Sequence, residues 1–169
     1  MVGIIRTSDA NQRLLRRFLS RYNNLKKSKK RLEERLQEIE EDFIKSPLKA
    51  VSNEGGSKSA GSKVPPYIIA VDDILTEMMA LKNEAAEALK DIMGILNLLD
   101  HAGIRYTALC LRYIDGWGEE QICDYIPCAR STYYRIIDDG IKELLDMEEV
   151  HKKINRFAIE VTKIPNLKS

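Results

Sequence analysis

The stretch Ile122-Cys-Asp-Tyr-Ile-Pro-Cys-Ala-Arg-Ser-Thr-Tyr-Tyr-Arg-Ile136 decides how the chain is read. Its small and apolar residues fall where two short helices crossing at a tight turn need them. Ile122 and then Cys123 supply one buried apolar residue and one small residue where a second helix would cross closely, and Ile126 and Cys128 flank the turn. Tyr133 and Ile136, three apart, are expected to face the core of the following helix. That leaves Arg130, Ser131, Thr132, Tyr134 and Arg135 on its exposed surface and leading end. The spacing is that of a helix-turn-helix, with double-stranded DNA as the leading partner. A plain helical hairpin without a ligand is the bland alternative.

Two positions fit poorly. The turn of such a unit usually carries Gly because it needs positive φ, whereas Pro127 has φ locked near −65°. Either the turn differs or the alignment slips by one residue. Ala129 stands where Ser or Thr would cap the second helix, a loss of roughly 1 kcal/mol unless something else caps it; Ser131 is a candidate for a cap two residues later.

A chain of 169 residues with 44% hydrophobic content can bury one modest core or two small ones. A net charge of +1 gives no global push toward nucleic acid, so the electrostatic argument must be local. Basic residues crowd from Arg13 to Arg35, opposed only by Glu33 and Glu34. Arg13, Arg16, Arg17, Lys26, Lys27 and Lys30 are candidates for phosphate contacts. The helix-turn-helix is the acidic part: Glu119, Glu120, Asp124, Asp138 and Asp139 surround Arg130 and Arg135, an unfavourable field for a phosphate backbone.

Apolar residues from Leu15 to Phe43 recur at alternating steps of three and four, with Lys29 in the one polar slot. That is a heptad seam, and Leu25, Lys29, Leu32, Leu36, Ile39 and Phe43 are its expected oligomerisation residues. The partner is either another copy or the next long helix. From Ser46 to Pro66 the Gly, Ser and Pro content reads as a flexible linker. Gly56 to Lys63 has the glycine spacing of a phosphate-binding loop, but ends in Ser-Lys and has no apolar strand before it, so no nucleotide site is expected. Past the prolines, a second amphipathic pattern runs from Val71 to Leu99 with a face broad enough for more than one neighbour. Asp100 to Gly103 interrupts it, Ile104 to Ile114 makes a short helix ended by Asp115-Gly116, and a stripe from Met147 to Ile164 predicts a C-terminal helix that packs back or joins a dimer.

The three cysteines, Cys110, Cys123 and Cys128, read as buried thiols; their spacing with only His101 and His151 available is not that of a zinc site. No catalytic residue, metal or cofactor is expected, because two isolated histidines support no catalytic arrangement. No apolar run suits a membrane span or signal peptide, so a cytoplasmic protein without membrane contact is expected.

The segment from Ala108 to Ile126, followed by Arg130-Ser-Thr-Tyr-Tyr-Arg-Ile136 and Ile141-Lys-Glu-Leu-Leu145, resembles region four of bacterial sigma factors. The whole plan is similar to the ArpU/RinA-type transcriptional regulators of phages and related elements in Gram-positive bacteria. The motif resemblance covers roughly residues 104 to 145, and Pro127, Ala129 and the extension after Met147 depart from it. It implies an activator of late genes for packaging, morphogenesis or lysis, acting at promoter DNA beside host RNA polymerase. The fold class expected is all-α: long coiled-coil-type helices followed by a sigma region-four-like helix-turn-helix domain. The expected boundaries are a basic heptad helix over 1–45, the linker over 46–66, a long amphipathic helix over 67–100, the helix-turn-helix domain over 101–146, and a C-terminal helix and tail over 147–169. A homodimer on paired half-sites suits this plan. The rivals are a small-terminase-like packaging protein, in which the DNA-binding unit usually comes first and the assembly has about eight or more subunits, and a module that docks on RNA polymerase and touches no DNA.

Overall fold

A computed structural model describes residues 2–46 and 64–163, with side chains from Ser8 onward. Most of the expected linker, 47–63, and the end of the tail, 164–169, lie outside the described residues, and so does the whole Gly56 to Lys63 segment. Among the described residues the chain is all-α, with seven helices and no strand. They are α1 (Val2–Leu19), α2 (Arg21–Lys45), α3 (Pro66–Leu96), α4 (Ile104–Tyr113), α5 (Glu119–Tyr125), α6 (Arg130–Leu145) and α7 (Glu148–Lys163). No helix among these residues is long and apolar enough to cross a membrane.

The helix expected over 1–45 is two helices, broken at Ser20. The Ser20 hydroxyl donates to the Arg16 carbonyl at 2.8 Å, and the Ser20 N–H donates to the same oxygen at 3.0 Å. A serine hydroxyl bonded back one turn competes with the backbone ladder and bends helices. The break also divides the seam. Leu15 and Phe18, which the heptad pattern places in a pairing stripe, are buried with Leu19 in the core of one compact unit, and the residues from Leu25 onward belong to another.

The first unit takes in the described residues up to Asn23 and those from Ala86 onward. Its core gathers Ile92, Ile95 and Leu96 from the end of α3, Ala108, Leu109 and Tyr113 from α4, and Ile122 from α5. Tyr133, Ile137, Ile141 and Leu144 come from α6, and Val150, Ile154 and Phe157 from α7. Burying each large apolar side chain contributes on the order of 1.5–3 kcal/mol, so the helix-turn-helix stands on a substantial base. α7 packs back on the unit: Phe157 meets Phe18 edge to face, with ring centroids 5.5 Å apart, and the His151 ring lies 2.6 Å from the Leu145 carbonyl at the end of α6. The turn expected at Asp115-Gly116 is found. Gly116, after α4, has φ of 75°, a conformation that glycine adopts without penalty, and a Cβ there would lie 3.3 Å from the Asn23 side-chain oxygen. Asn23 in turn donates from Nδ2 to the Arg112 carbonyl at 3.0 Å.

Among its described residues, the second unit, Asn24 to Ala85, is a pair of helices, the rest of α2 and the first part of α3, arranged as a hairpin. Phe43 of α2 stacks on Tyr67 of α3 with centroids 4.3 Å apart, at the end where α2 finishes and α3 begins. Leu25, Lys29, Leu32, Leu36 and Ile39 are half-buried along α2, and no residue of that helix is fully buried. Facing positions on α3 include Ile74, which is buried, and Val71, Met78 and Leu81, which are half-buried.

Candidate nucleic-acid interface

α5, the turn after it and α6 follow from local chemistry. Gly118 precedes α5 in extended conformation and its N–H donates to the Gln121 side chain at 2.9 Å, which satisfies one of the unpaired donors of the helix start. Glu119 and Glu120 occupy the first turn, where the helix dipole favours carboxylates. α5 ends because Pro127 pushes the preceding residue out of the helical region, and Ile126 takes φ −102° and ψ 93°. The Ile126 N–H still reaches the Ile122 carbonyl at 2.8 Å, and Cys128 N–H reaches the Cys123 carbonyl at 3.3 Å.

Pro127 therefore poses no conflict. Among the described residues only Gly116 has positive φ, so this turn differs from the usual one and contains no left-handed residue. Ala129 is the residue before α6, with φ −71° and ψ 155° and no side-chain cap. Ser131 does not move the cap later, because α6 begins at Arg130. Arg130, Ser131 and Thr132 thus form the first turn, whose backbone N–H groups have no carbonyl partner within the helix.

The core face of α6 is Tyr133, Ile137, Gly140, Ile141 and Leu144. Ile136, expected to face the core, is only half-buried, and Ile137 takes the central place. Gly140 carries a close helix approach: a Cβ there would meet the Leu109 Cδ1 of α4 at 2.9 Å. Tyr133 keeps its hydroxyl satisfied in this core because Arg112 of α4 donates to it. The Arg112 guanidinium lies 5.6 Å from the Tyr113 ring and 5.9 Å from the Tyr133 ring. Burial pushes the Tyr133 phenol above its ordinary value, and Arg112 partly offsets this.

Ser131, Thr132 and Arg135 are exposed, and Arg135 has no ion-pair partner among the described residues. Arg130 and Tyr134 are also exposed, but both reach back to α5. Arg130 forms an ion pair with Glu119, and the Tyr134 hydroxyl donates to the other oxygen of the same carboxylate at 2.5 Å. The Arg130 guanidinium is pushed further above its ordinary value by the nearby Tyr134 and Glu119. The acidic half of α6 is paired as well. Arg16 of α1 bonds Asp138, and Arg105 of α4 bonds Glu143 at 2.7 Å and lies 4.0 Å from Asp139. Such exposed pairs contribute little stability. Their consequence is electrostatic: three carboxylates of the α6 surface are matched by arginines, Arg130 is matched by Glu119, and Arg135 and Lys142 are the cations of α6 with no ion pair among the described residues.

The six candidates for phosphate contacts divide between the two units. On α1, Arg13 and Arg17 are exposed and Arg16 is committed to Asp138. On α2, Lys26 and Lys27 are exposed, and Lys30 lies 3.8 Å from Glu34. The seam lysine, Lys29, pairs with Glu33 at 3.1 Å. Cys110, Cys123 and Cys128 are free, half-buried thiols, and burial pushes Cys110 and Cys123 above the ordinary thiol value. No group of side chains among the described residues is arranged to hold a metal ion.

Sequence reasoning identified the exposed residues of α6 but not Glu119, Arg112, Asp138 or Gly140 as parts of the site. A glycine inside a helical pattern is a local signal for close packing, and Gly140 was open to that reading. Glu119 carries only the signature of a helix start. Its pairing with Arg130 depends on how α5 crosses α6.

No match was found among curated proteins or among solved structures. Residues 66–145, from the start of α3 to the end of α6, match the model of a family described as a protein of unknown function, DUF1492.

Proposed function

We propose that the chain is a sequence-specific double-stranded DNA-binding transcriptional regulator that meets the major groove with the leading end of α6. The observation that supports this most is the set Arg130, Ser131, Thr132, Tyr134 and Arg135, exposed on the first turns of a helix whose opposite face is locked into the core. A bidentate Arg–guanine contact is worth about 1–3 kcal/mol of discrimination, and the unpaired N–H groups of the first turn suit a phosphate. The matched carboxylates of α6 reduce the repulsion that its sequence suggests. The resemblance to ArpU/RinA-type regulators extends the proposal to activation of phage or mobile-element late genes beside host RNA polymerase in the bacterial cytoplasm. Two copies would occupy paired half-sites.

A second reading is favoured by the outer surface of α5, where Glu120 and Asp124 are exposed and Tyr125 is 61% exposed. That surface suits docking on RNA polymerase without DNA contact. Converting Arg130 and Arg135 together to Ala and measuring binding to the element's own late promoter separates the two. Under the DNA proposal the affinity falls about tenfold or more and its salt dependence becomes shallower by up to about two ions. Unchanged affinity at fixed salt removes these residues from the interface, and a wild-type chain with no salt-dependent DNA retention turns the reading to protein docking.

A further inference from the structure

A second stripe of α3 flanks the hairpin-facing one and is open to solvent. Ile68, Asp72, Leu75, Met79 and Lys82 recur at alternating steps of four and three and are all exposed. Ile68, Leu75 and Met79 are 50%, 44% and 68% exposed, unusual for three large apolar residues in one stripe. Asp72 and Lys82 have no ion-pair partner among the described residues.

The order of these residues is self-complementary. Leu75 and Met79 lie at equal distances on either side of position 77, and so do Asp72 and Lys82. A two-fold axis through that point would set Leu75 of one copy on Met79 of the other and Asp72 against Lys82, twice each, as an isologous contact requires. An antiparallel coiled coil makes the same pairing, because its layers combine the two alternating seam positions. A parallel arrangement would oppose Asp72 to Asp72 and Lys82 to Lys82.

The charge of the whole hairpin has the same polarity. At the closed end α2 carries Glu38, Glu40, Glu41 and Asp42 and α3 carries Asp72 and Asp73, with Lys45 as the basic residue among those described. At the open end Lys26, Lys27, Lys29, Lys30, Arg31 and Arg35 of α2 and Lys82 of α3 outweigh Glu33, Glu34 and Glu84. Only an antiparallel neighbour of the same sequence lays each end on its opposite. The hairpin also has reason to be covered, since α2 has no fully buried residue and two helices alone bury little apolar surface.

We infer that the outer face of α3 is a self-association surface, on which a second copy of this chain docks antiparallel about position 77. This surface is distinct from the α2 seam expected from the heptad pattern, and the inference stands apart from the DNA-binding proposal.

Sedimentation equilibrium of the full chain, at low and high salt, tests it with charge swaps at exposed positions. The wild type reversibly forms a species of twice the 19.3 kDa chain mass, more weakly as salt rises. Asp72→Lys alone and Lys82→Asp alone each place like charges opposite one another twice and weaken association by about tenfold or more. The double variant D72K/K82D restores the pairs with reversed sign and brings association back to within about threefold of wild type. A chain that stays at 19.3 kDa up to several hundred micromolar overturns the inference, about the range of a weak interface. Single swaps without effect move the surface elsewhere and overturn it too. A double variant as weak as the singles overturns the antiparallel register. Circular dichroism of each variant checks that helicity is retained.

Discussion

Glu119, in the first turn of α5, holds Arg130, the first residue of α6, in an ion pair across the helix-turn-helix. The same carboxylate accepts the Tyr134 hydroxyl, so one acidic residue occupies two of the five side chains proposed to meet DNA. Glu119→Gln keeps a hydrogen-bonding side chain and removes the charge. DNA retention at low salt is expected to rise about threefold to tenfold, because Arg130 is released and a negative charge leaves the interface. A filter-binding titration in which E119Q binds no tighter than wild type, or more weakly, counts against a groove-facing Arg130.

Gly140 is set by its neighbour. In α6 an alanine would improve helix propensity by about 1 kcal/mol, but its Cβ would lie 2.9 Å from the Leu109 Cδ1 in a side chain with no exposed surface. Overpacking of that kind costs about 1–3 kcal/mol. Gly140→Ala should therefore lower unfolding free energy by about 1 kcal/mol net in a urea titration. A higher midpoint for the alanine variant would mean that the helices do not approach as closely as described.

Phe18 tests whether α1 belongs to the folded unit. It is 2% exposed and packs edge to face on Phe157. Phe18→Ala is expected to cost about 3–5 kcal/mol of unfolding free energy, as a deleted core aromatic does. Were α1 only a pairing helix, the substitution would change the association state and leave the chemical denaturation of a dilute sample nearly unchanged.

Alkaline pH should weaken the fold in a defined order. Burial pushes Cys110 above its ordinary value of 9.0 and Tyr133 above 10.0. Each raised value means that the unfolded chain releases the proton first. The corresponding stability is complete below the unfolded value and is lost as pH rises through the folded one. Urea midpoints are expected to decline above about pH 9, and Cys110→Ala should flatten the first part of that decline. A midpoint that holds level to pH 10.5, or a C110A profile that falls as steeply as wild type, sinks this account.

Apart from the break at Ser20 between α1 and α2, the helices were legible where they carry their own punctuation. Gly118 with Glu119 and Glu120 opens α5, Pro127 closes it, and Asp115-Gly116 ends the stretch after α4. The exposed candidates on α6 followed from helical periodicity once Tyr133 was assigned to the core, and Tyr133 is buried. The turn was harder to read, since Pro127 conflicts with the usual glycine. It resolves without a left-handed residue because Ile126 and Ala129 are both extended.

By itself the sequence determined an all-α chain, the approximate limits of the helices from α3 onward, and the residues that an α6 surface would present, but not the break at Ser20. Periodicity reports that a side chain lies on an apolar face, and nothing more about its partner. Only the tertiary structure decided that Leu15 and Phe18 enter the core with α7 while the seam from Leu25 to Ile39 stays half-buried in the hairpin and Phe43 is exposed. It also decided that Asp138 meets Arg16, that Glu143 meets Arg105 and that Glu119 meets Arg130. Those pairings depend on where separate helices cross, which no local pattern encodes, and they determine how acidic or basic the α6 surface is.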